Sequence, residues 1–163
     1  MLAIIPAKKQ SKRLPNKNIK LLAGKPLIAY TIETALKSKL ISRVIVTTDC
    51  SKIAKISKKY GAEVPFLRPA EFARDESKDI DFFIHAINWF KENEGYIPDY
   101  WVQLRPTTPL REPELIEDSI TLIQNHPDAS SLVSVHEFPE NPGKMFGMQD
   151  GYLHGLCPLD PRP

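Results

Sequence analysis

Short apolar runs alternate with amphipathic segments along the chain, and this alternation most strongly limits the folds available to it. Strands are predicted at short stretches rich in apolar residues, at residues 2–6, 44–46, 63–66, 100–104 and 131–135. Helices are predicted between them, where apolar residues recur every three or four positions. Strands separated by helices of about a dozen residues are typical of right-handed βαβ crossovers. We therefore expect an α/β fold with three layers and a mostly parallel central sheet.

Proline and glycine mark most of the predicted helix boundaries. Pro26 and Pro113 lie where a first turn begins, a position that needs no backbone N–H. Ser51 is predicted to cap the second helix and Gly61 to end it, while Gly95 ends the third. The residues expected to face the core are Leu27, Ile28, Ile32, Ala35 and Leu36 in the first helix, and Leu115, Ile116, Leu122 and Ile123 in the fourth.

The last residues differ from the rest in composition. Five prolines fall within residues 139–163, and proline supplies no N–H to a strand ladder. Residues 151–155 are predicted to form part of a hairpin. We expect one α/β domain over residues 1–138 and a proline-rich segment over 139–163 that begins a further part.

Overall composition is that of a soluble globular protein. The chain has 163 residues, of which 42% are hydrophobic and 26% charged. No apolar run approaches the roughly 20 residues that span a bilayer, and the first apolar run precedes its lysines, unlike a signal peptide. The two cysteines have no metal-ligand spacing with histidine. These features predict a cytosolic protein without a metal site of its own.

Positive charge is concentrated in one segment. Seven lysines and arginines lie between Lys8 and Lys25 without a single acidic residue, and the remainder of the chain has 15 basic against 20 acidic residues. A basic loop in an acidic body suits a small polyanion such as a nucleoside triphosphate. Two alternatives stay open: a merely solvated loop, and an RNA-binding module, for which spread basic residues with aromatics would be more typical.

Three polar segments directly follow predicted strands. They are residues 7–18, 47–49 and 105–111. Ligands of parallel sheets bind beyond the carboxyl ends of the strands, so these segments predict a shared site. Ser11 can donate to a phosphate oxygen, although no glycine-rich phosphate loop is present. Asp49 faces the nucleotide in one interpretation and caps the following helix in the other.

These segments resemble the signatures of cytidylyltransferases that activate nonulosonic acids, especially the acylneuraminate group and its legionaminic and pseudaminic acid relatives. The matching stretches are IPAKKQSKRLPNKN (5–18), GKPLI (24–28), VTTD (46–49), GAEVPFLRPAE (61–71), LRPTTPLR (104–111), VSV (133–135) and KMF (144–146). They occur in the family's order along nearly the whole chain.

The resemblance implies transfer of CMP from CTP to the anomeric hydroxyl of an acidic nine-carbon sugar, with release of pyrophosphate and assistance by Mg²⁺. It implies the nucleotide-diphospho-sugar transferase type of Rossmann-like fold and a homodimer in the full-length form. It indicates neither nucleic acid nor membrane as a partner.

The resemblance also assigns residues. Lys8 and Lys12 are the expected catalytic cations. The nucleotide-binding set comprises Ile5, Pro6, Ala7, Lys8, Ser11, Lys12, Lys17, Asn18 and Asp49. The sugar-binding set comprises Arg105, Pro106, Thr107, Thr108 and Lys144.

Several positions depart from the family pattern. Lys9 and Gln10 replace two glycines, Lys8 replaces an arginine, Arg105 replaces a glutamine, and Lys78 stands where small hydroxyl residues are usual. The family also continues past residue 163 with an aspartate pair that binds the metal. A second hypothesis is therefore a truncated, catalytically incompetent CTP-binding fragment.

Overall fold

The computed structural model describes residues 1–11, 14–74, 76–135 and 146–155. The strands are β1 (Leu2–Pro6), β2 (Leu21–Leu22), β3 (Lys25–Pro26), β4 (Arg43–Thr47), β5 (Trp101–Gln103), β6 (Phe146–Gln149) and β7 (Tyr152–Gly155). The α-helices are α1 (Leu27–Lys37), α2 (Ser51–Lys59), α3 (Asp79–Asn93) and α4 (Pro113–Gln124). Single 3₁₀ turns occupy Lys17–Ile19 and Ala70–Ala73.

The central sheet is parallel, as predicted. Its strands lie in the order β4-β1-β5, with Leu2 opposite both Arg43 and Trp101. All three strands therefore end at the same edge. The ladder continues beyond them, since Ala7 N–H donates to the Thr47 carbonyl at 3.0 Å and Leu104 N–H to the Ile4 carbonyl at 3.0 Å.

Both faces of β1 are buried, which explains its uninterrupted apolar sequence. Ala3 and Ile5 join one core, to which α1, α2 and α4 contribute. Leu2 and Ile4 join the other, where α3 supplies Phe82, Ala86 and Phe90. Helices thus cover the sheet on both sides, and the predicted three-layer α/β architecture is confirmed.

Two predicted strands are wrong. Residues 63–66 make only a single bridge, between Glu63 and Ile45, because Pro65 has no N–H with which to extend the ladder. Residues 131–135 form no strand, and Val133 and Val135 are exposed. Their apolar sequence suits a strand, but a strand requires a neighbour to bond with.

Two helix details also differ from expectation. Cys50, not Ser51, is the N-cap of α2, because Thr48 Oγ1 already accepts the Cys50 N–H at 3.2 Å and turns the chain. Leu36, Leu115 and Leu122 are about half exposed rather than buried. In α4 the stripe facing the core is narrow, consisting of Ile116 and Ile120.

Gly61 ends α2 as predicted. Its φ is +94°, its N–H donates to the Lys58 carbonyl, and the Ala62 N–H donates to the Ser57 carbonyl. This pair of bonds is the Schellman motif, which favours glycine because its left-handed residue has no Cβ. A Cβ at Gly61 would also lie only 2.9 Å from Leu36 Cδ1.

The Gly61→Ala variant is expected to lose about 1–2 kcal/mol of unfolding free energy through left-handed strain, with the Leu36 contact adding to it. Urea denaturation of the two proteins measures this loss. Gly95→Ala is the matched control, since Gly95 has φ +72° but no atom within 4 Å of the added Cβ. Equal losses in both variants would contradict the role of the Leu36 contact.

The chain divides into two compact units, residues 1–132 and 133–163. In the second unit, β6 and β7 pair antiparallel, with Asp150 and Gly151 at φ 53° and 82° in the turn. The predicted hairpin is thereby confirmed. The predicted domain boundary after residue 138 lies outside the described residues and stays a prediction. Within the described residues, no helix has the length and apolar character needed to cross a membrane.

Candidate functional site

A cavity of about 230 Å³ opens at the carboxyl ends of β1, β4 and β5. Its position follows from the parallel sheet, which brings the segments after these strands together. Eight of the predicted site residues line it: Pro6, Lys8, Ser11, Lys17, Asn18, Arg105, Pro106 and Thr107. The predicted nucleotide and sugar segments therefore share one cavity.

The other predicted residues are placed differently. Ile5 and Ala7 are fully buried in the core, so only their backbone can face a ligand. Asp49 and Thr108 are not among the residues lining the cavity. Lys12 and Lys144 lie outside the described residues.

The loop after β1 is held at both ends. Asp49 Oδ1 accepts the Lys9 N–H at 2.7 Å, which ties the end of β4 to this loop. Asn18, almost completely buried, donates from Nδ2 to the Lys8 carbonyl at 3.0 Å. Asp49 makes no side-chain cap on α2, so its contact favours a role in shaping the loop.

The cavity is strongly cationic. Lys8, Lys17, Arg68, Arg74, Lys78 and Arg105 all line it. Lys8 Nζ donates to the Arg74 carbonyl at 3.4 Å, which directs this side chain across the cavity toward the segment before α3. Such an assembly attracts anions and concentrates them in the cleft.

Arg68 is the most buried of these cations, with only 6% of its surface exposed. Its Nε donates to Thr47 Oγ1 at 3.1 Å and its Nη2 to the Thr47 carbonyl at 2.7 Å. The guanidinium lies 5.1 Å from the Phe82 ring centroid. Burial lowers the pKa of Arg68, and the charges of Asp49 and Asp79 oppose that effect. Its Nη1 donates to the Phe72 carbonyl at 3.5 Å, and no carboxylate of the described residues forms a salt bridge with it, although it lines the cavity.

Comparison with known proteins identifies the family. The family model described as Cytidylyltransferase matches residues 2–144. The chain belongs to the cytidylyltransferase family. The predicted resemblance is thereby confirmed.

Curated relatives of this family act on acidic sugars, according to their names. The chain is 42% identical over 135 residues to the CMP-N,N'-diacetyllegionaminic acid synthase of Legionella pneumophila, covering 83% of this chain and 57% of that protein. It is 40% identical over 135 residues to the N-acylneuraminate cytidylyltransferase of Escherichia coli, covering 83% of this chain and 31% of that protein. The pseudaminic acid cytidylyltransferase of Campylobacter jejuni is 34% identical over 139 residues, with 85% and 60% covered. The chain thus spans less than two thirds of each of these relatives.

A solved structure shares the fold. A CMP:2-keto-3-deoxy-manno-octonic acid synthetase complexed with CTP superposes with a TM-score of 0.65 at 22% identity, covering 77% of this chain and 48% of that one. This likeness confirms the nucleotide-sugar transferase type of Rossmann-like fold.

Several residues that line the cavity were assigned no role from sequence. Gln10, Arg68, Phe72, Arg74, Ser77–Asp79 and Phe82 also line the cavity. Arg68 stands within the matching stretch 61–71, which was the one signal pointing to it. Its burial against Thr47, 21 positions earlier, has no signature in the local sequence.

The described residues contain no group of three or more His, Cys, Asp or Glu side chains able to hold a metal ion. Mg²⁺ at nucleotide sites uses only one or two carboxylates together with substrate phosphates and water. The Mg²⁺ implied by the family resemblance therefore stays a prediction.

Proposed function

We propose that the chain forms the nucleotide-binding part of an enzyme that transfers CMP from CTP to the anomeric hydroxyl of a sialic-acid-like nonulosonic acid. Family membership supports this activity, and the relatives' names supply the class of sugar. The observation that carries the proposal is the cavity at the strand ends, where six cationic side chains converge with Ser11 and Asn18. A triphosphate needs such a density of positive charge and hydrogen-bond donors.

The reaction forms one P–O bond, breaks another and releases one proton. The anomeric hydroxyl of the sugar attacks the α-phosphorus of CTP and gives up its proton to solvent, the bond from that phosphorus to the bridging oxygen breaks, and pyrophosphate leaves. Such a step requires alignment and charge stabilisation rather than a protein nucleophile. Lys8 and Lys12 neutralise the phosphates, Ser11 and Lys17 donate to them, and Arg68 donates to the nucleotide from the cavity wall.

The remaining predicted residues complete the site. The backbone of Ile5, Pro6 and Ala7 runs beside the base, together with Asn18. Asp49 acts indirectly, by holding the loop through Lys9. Arg105, Pro106, Thr107, Thr108 and Lys144 receive the sugar acid, whose carboxylate suits a guanidinium.

Family membership also supports proposals for the cofactor, the assembly and the location. We propose Mg²⁺ assistance, a homodimer and a cytosolic location. We also propose that the nucleotide-binding domain extends over residues 1–138. The alternative for residues 1–163 on their own is CTP binding without turnover.

Two measurements test the proposal. Calorimetry of the purified chain with CTP is expected to show binding at one site per chain. Incubation with CTP, Mg²⁺ and a panel of nonulosonic acids, for this chain and for a version extended to family length, is expected to give a CMP-sugar from the extended version. Absence of product from both versions would exclude the transfer activity, and absence of CTP binding would exclude the alternative as well.

The Lys12→Ala variant is expected to bind CTP about 10-fold more weakly, since one charge-assisted contact to phosphate is lost. Lys20→Ala is the matched control, because Lys20 lies in the same basic segment but does not line the cavity. An unchanged dissociation constant for Lys12→Ala, measured by calorimetry, would remove Lys12 from the site.

A further inference from the structure

Asp79 joins two elements at one end of the cavity. It is the first residue of α3, and its Oδ2 accepts a hydrogen bond from Gln103 Nε2 of β5 at 2.9 Å. The same oxygen forms an ion pair with Arg105 Nη2. Arg105 is the second residue after the end of β5. Asp79 therefore pairs with one of the cations that line the cavity.

Asp79 also stands apart in charge. Six cationic side chains line the cavity, and among the described residues lining it Asp79 is the one carboxylate. Asp81, in the same first turn, instead accepts the Lys78 N–H at 2.8 Å and does not line the cavity. The negative charge of Asp79 therefore acts on Arg105, with which it forms an ion pair, and also on Arg68.

Six cations in one cavity would also attract a second polyphosphate to the end lined by Arg105, where the sugar is proposed to bind. Attraction grows with the charge of the ligand, so pyrophosphate would compete with a sugar that carries one carboxylate. Neutralising one cation reduces the attraction most for the most highly charged competitor. Asp79 and Arg105 are 48% and 61% exposed, so an incoming anion reaches both side chains and meets the charge of the pair rather than that of Arg105 alone.

We propose that Asp79 is a specificity-determining residue, which pairs with Arg105 and so favours a monocarboxylate over a polyphosphate at the Arg105 end of the cavity. The assignment of this end to the acceptor rests on the proposed function. The ion pair, the charge count and their consequence for anion binding do not.

Pyrophosphate is the direct probe, titrated calorimetrically into the 163-residue chain at low ionic strength with a chelator present. The variants are Asp79→Asn, Arg105→Gln and their combination, with Asp81→Asn as the matched control for loss of one charge from the same helical turn. Asp79→Ser serves as a second replacement should the asparagine variant fold poorly, as judged by circular dichroism. N-acetylneuraminate is titrated into the same proteins.

Asp79→Asn is expected to bind pyrophosphate about 5-fold more tightly and N-acetylneuraminate within about 2-fold of the unaltered chain, because the effect scales with ligand charge. Arg105→Gln is expected to weaken pyrophosphate binding about 3-fold alone but about 15-fold in the Asp79→Asn background. This difference arises because Asp79 offsets much of the positive charge that Arg105 applies to a ligand in the unaltered chain.

Four results would overturn the proposal: unchanged pyrophosphate affinity in Asp79→Asn and Asp79→Ser, equal effects of Arg105→Gln in both backgrounds, the same gain in Asp81→Asn, or a lack of any pyrophosphate binding. Failure of CTP to bind the unaltered chain would instead contradict the proposed function, so the two failures are distinguishable.

Discussion

The Arg68→Met variant is expected to bind CTP at least about 100-fold more weakly and to lose about 2–4 kcal/mol of unfolding free energy. Methionine fills much of the arginine volume but provides no N–H group. Thr47 has no exposed surface, so its Oγ1 would be left without the Arg68 Nε donor and its carbonyl would keep only the Ala7 N–H. The cavity would lose its most buried positive charge at the same time.

Conservative replacement separates these two effects. Arg68→Lys keeps the charge but has no planar fork, so it is expected to recover part of the CTP affinity while the loss of stability persists. Urea denaturation and calorimetry on the same samples measure the two quantities. Unaltered CTP affinity in a folded Arg68→Met protein would exclude Arg68 from the nucleotide site.

The Asp49→Ala variant is expected to bind CTP about 30-fold more weakly, with only a small change in stability. The 2.7 Å bond from the Lys9 N–H to Asp49 Oδ1 is the tie between β4 and the loop that carries Lys8 and Ser11. A hydrogen bond to a charged group contributes about 1.5–3 kcal/mol, and its loss lets the loop sample conformations that must be reordered when CTP binds.

The control for Asp49 is a variant that keeps the acceptor oxygen. Asp49→Asn is expected to retain most of the affinity, whereas Asp99→Ala, at an exposed position away from the cavity, is expected to change it less than about 2-fold. Equal weakening by the alanine and asparagine replacements would indicate that Asp49 acts through its charge rather than through the loop.

The local sequence correctly predicted elements whose conformation is determined by their own residues. The strand Leu2–Pro6 is apolar on both faces because helices cover both, and Gly61 ends α2 because its conformation excludes a Cβ. Residues 131–135 are also rich in apolar residues and were predicted to form a strand, yet they form none. Whether such a stretch forms a strand depends on whether another strand lies beside it, and the hydrophobic pattern of a single segment does not contain that information.

The amino-acid sequence by itself determined the three-layer α/β class, the parallel sheet and the grouping of polar segments at the strand ends, since periodicity and crossover handedness dictate these. It also placed a basic loop after the first strand, and the matching stretches assigned the chain to its family. The tertiary structure alone decided which charges meet. Arg68 reaches Thr47 and Asp79 reaches Arg105 across 21 and 26 positions. Contacts at that separation depend on how the layers pack, and packing is a property of the whole core rather than of any segment.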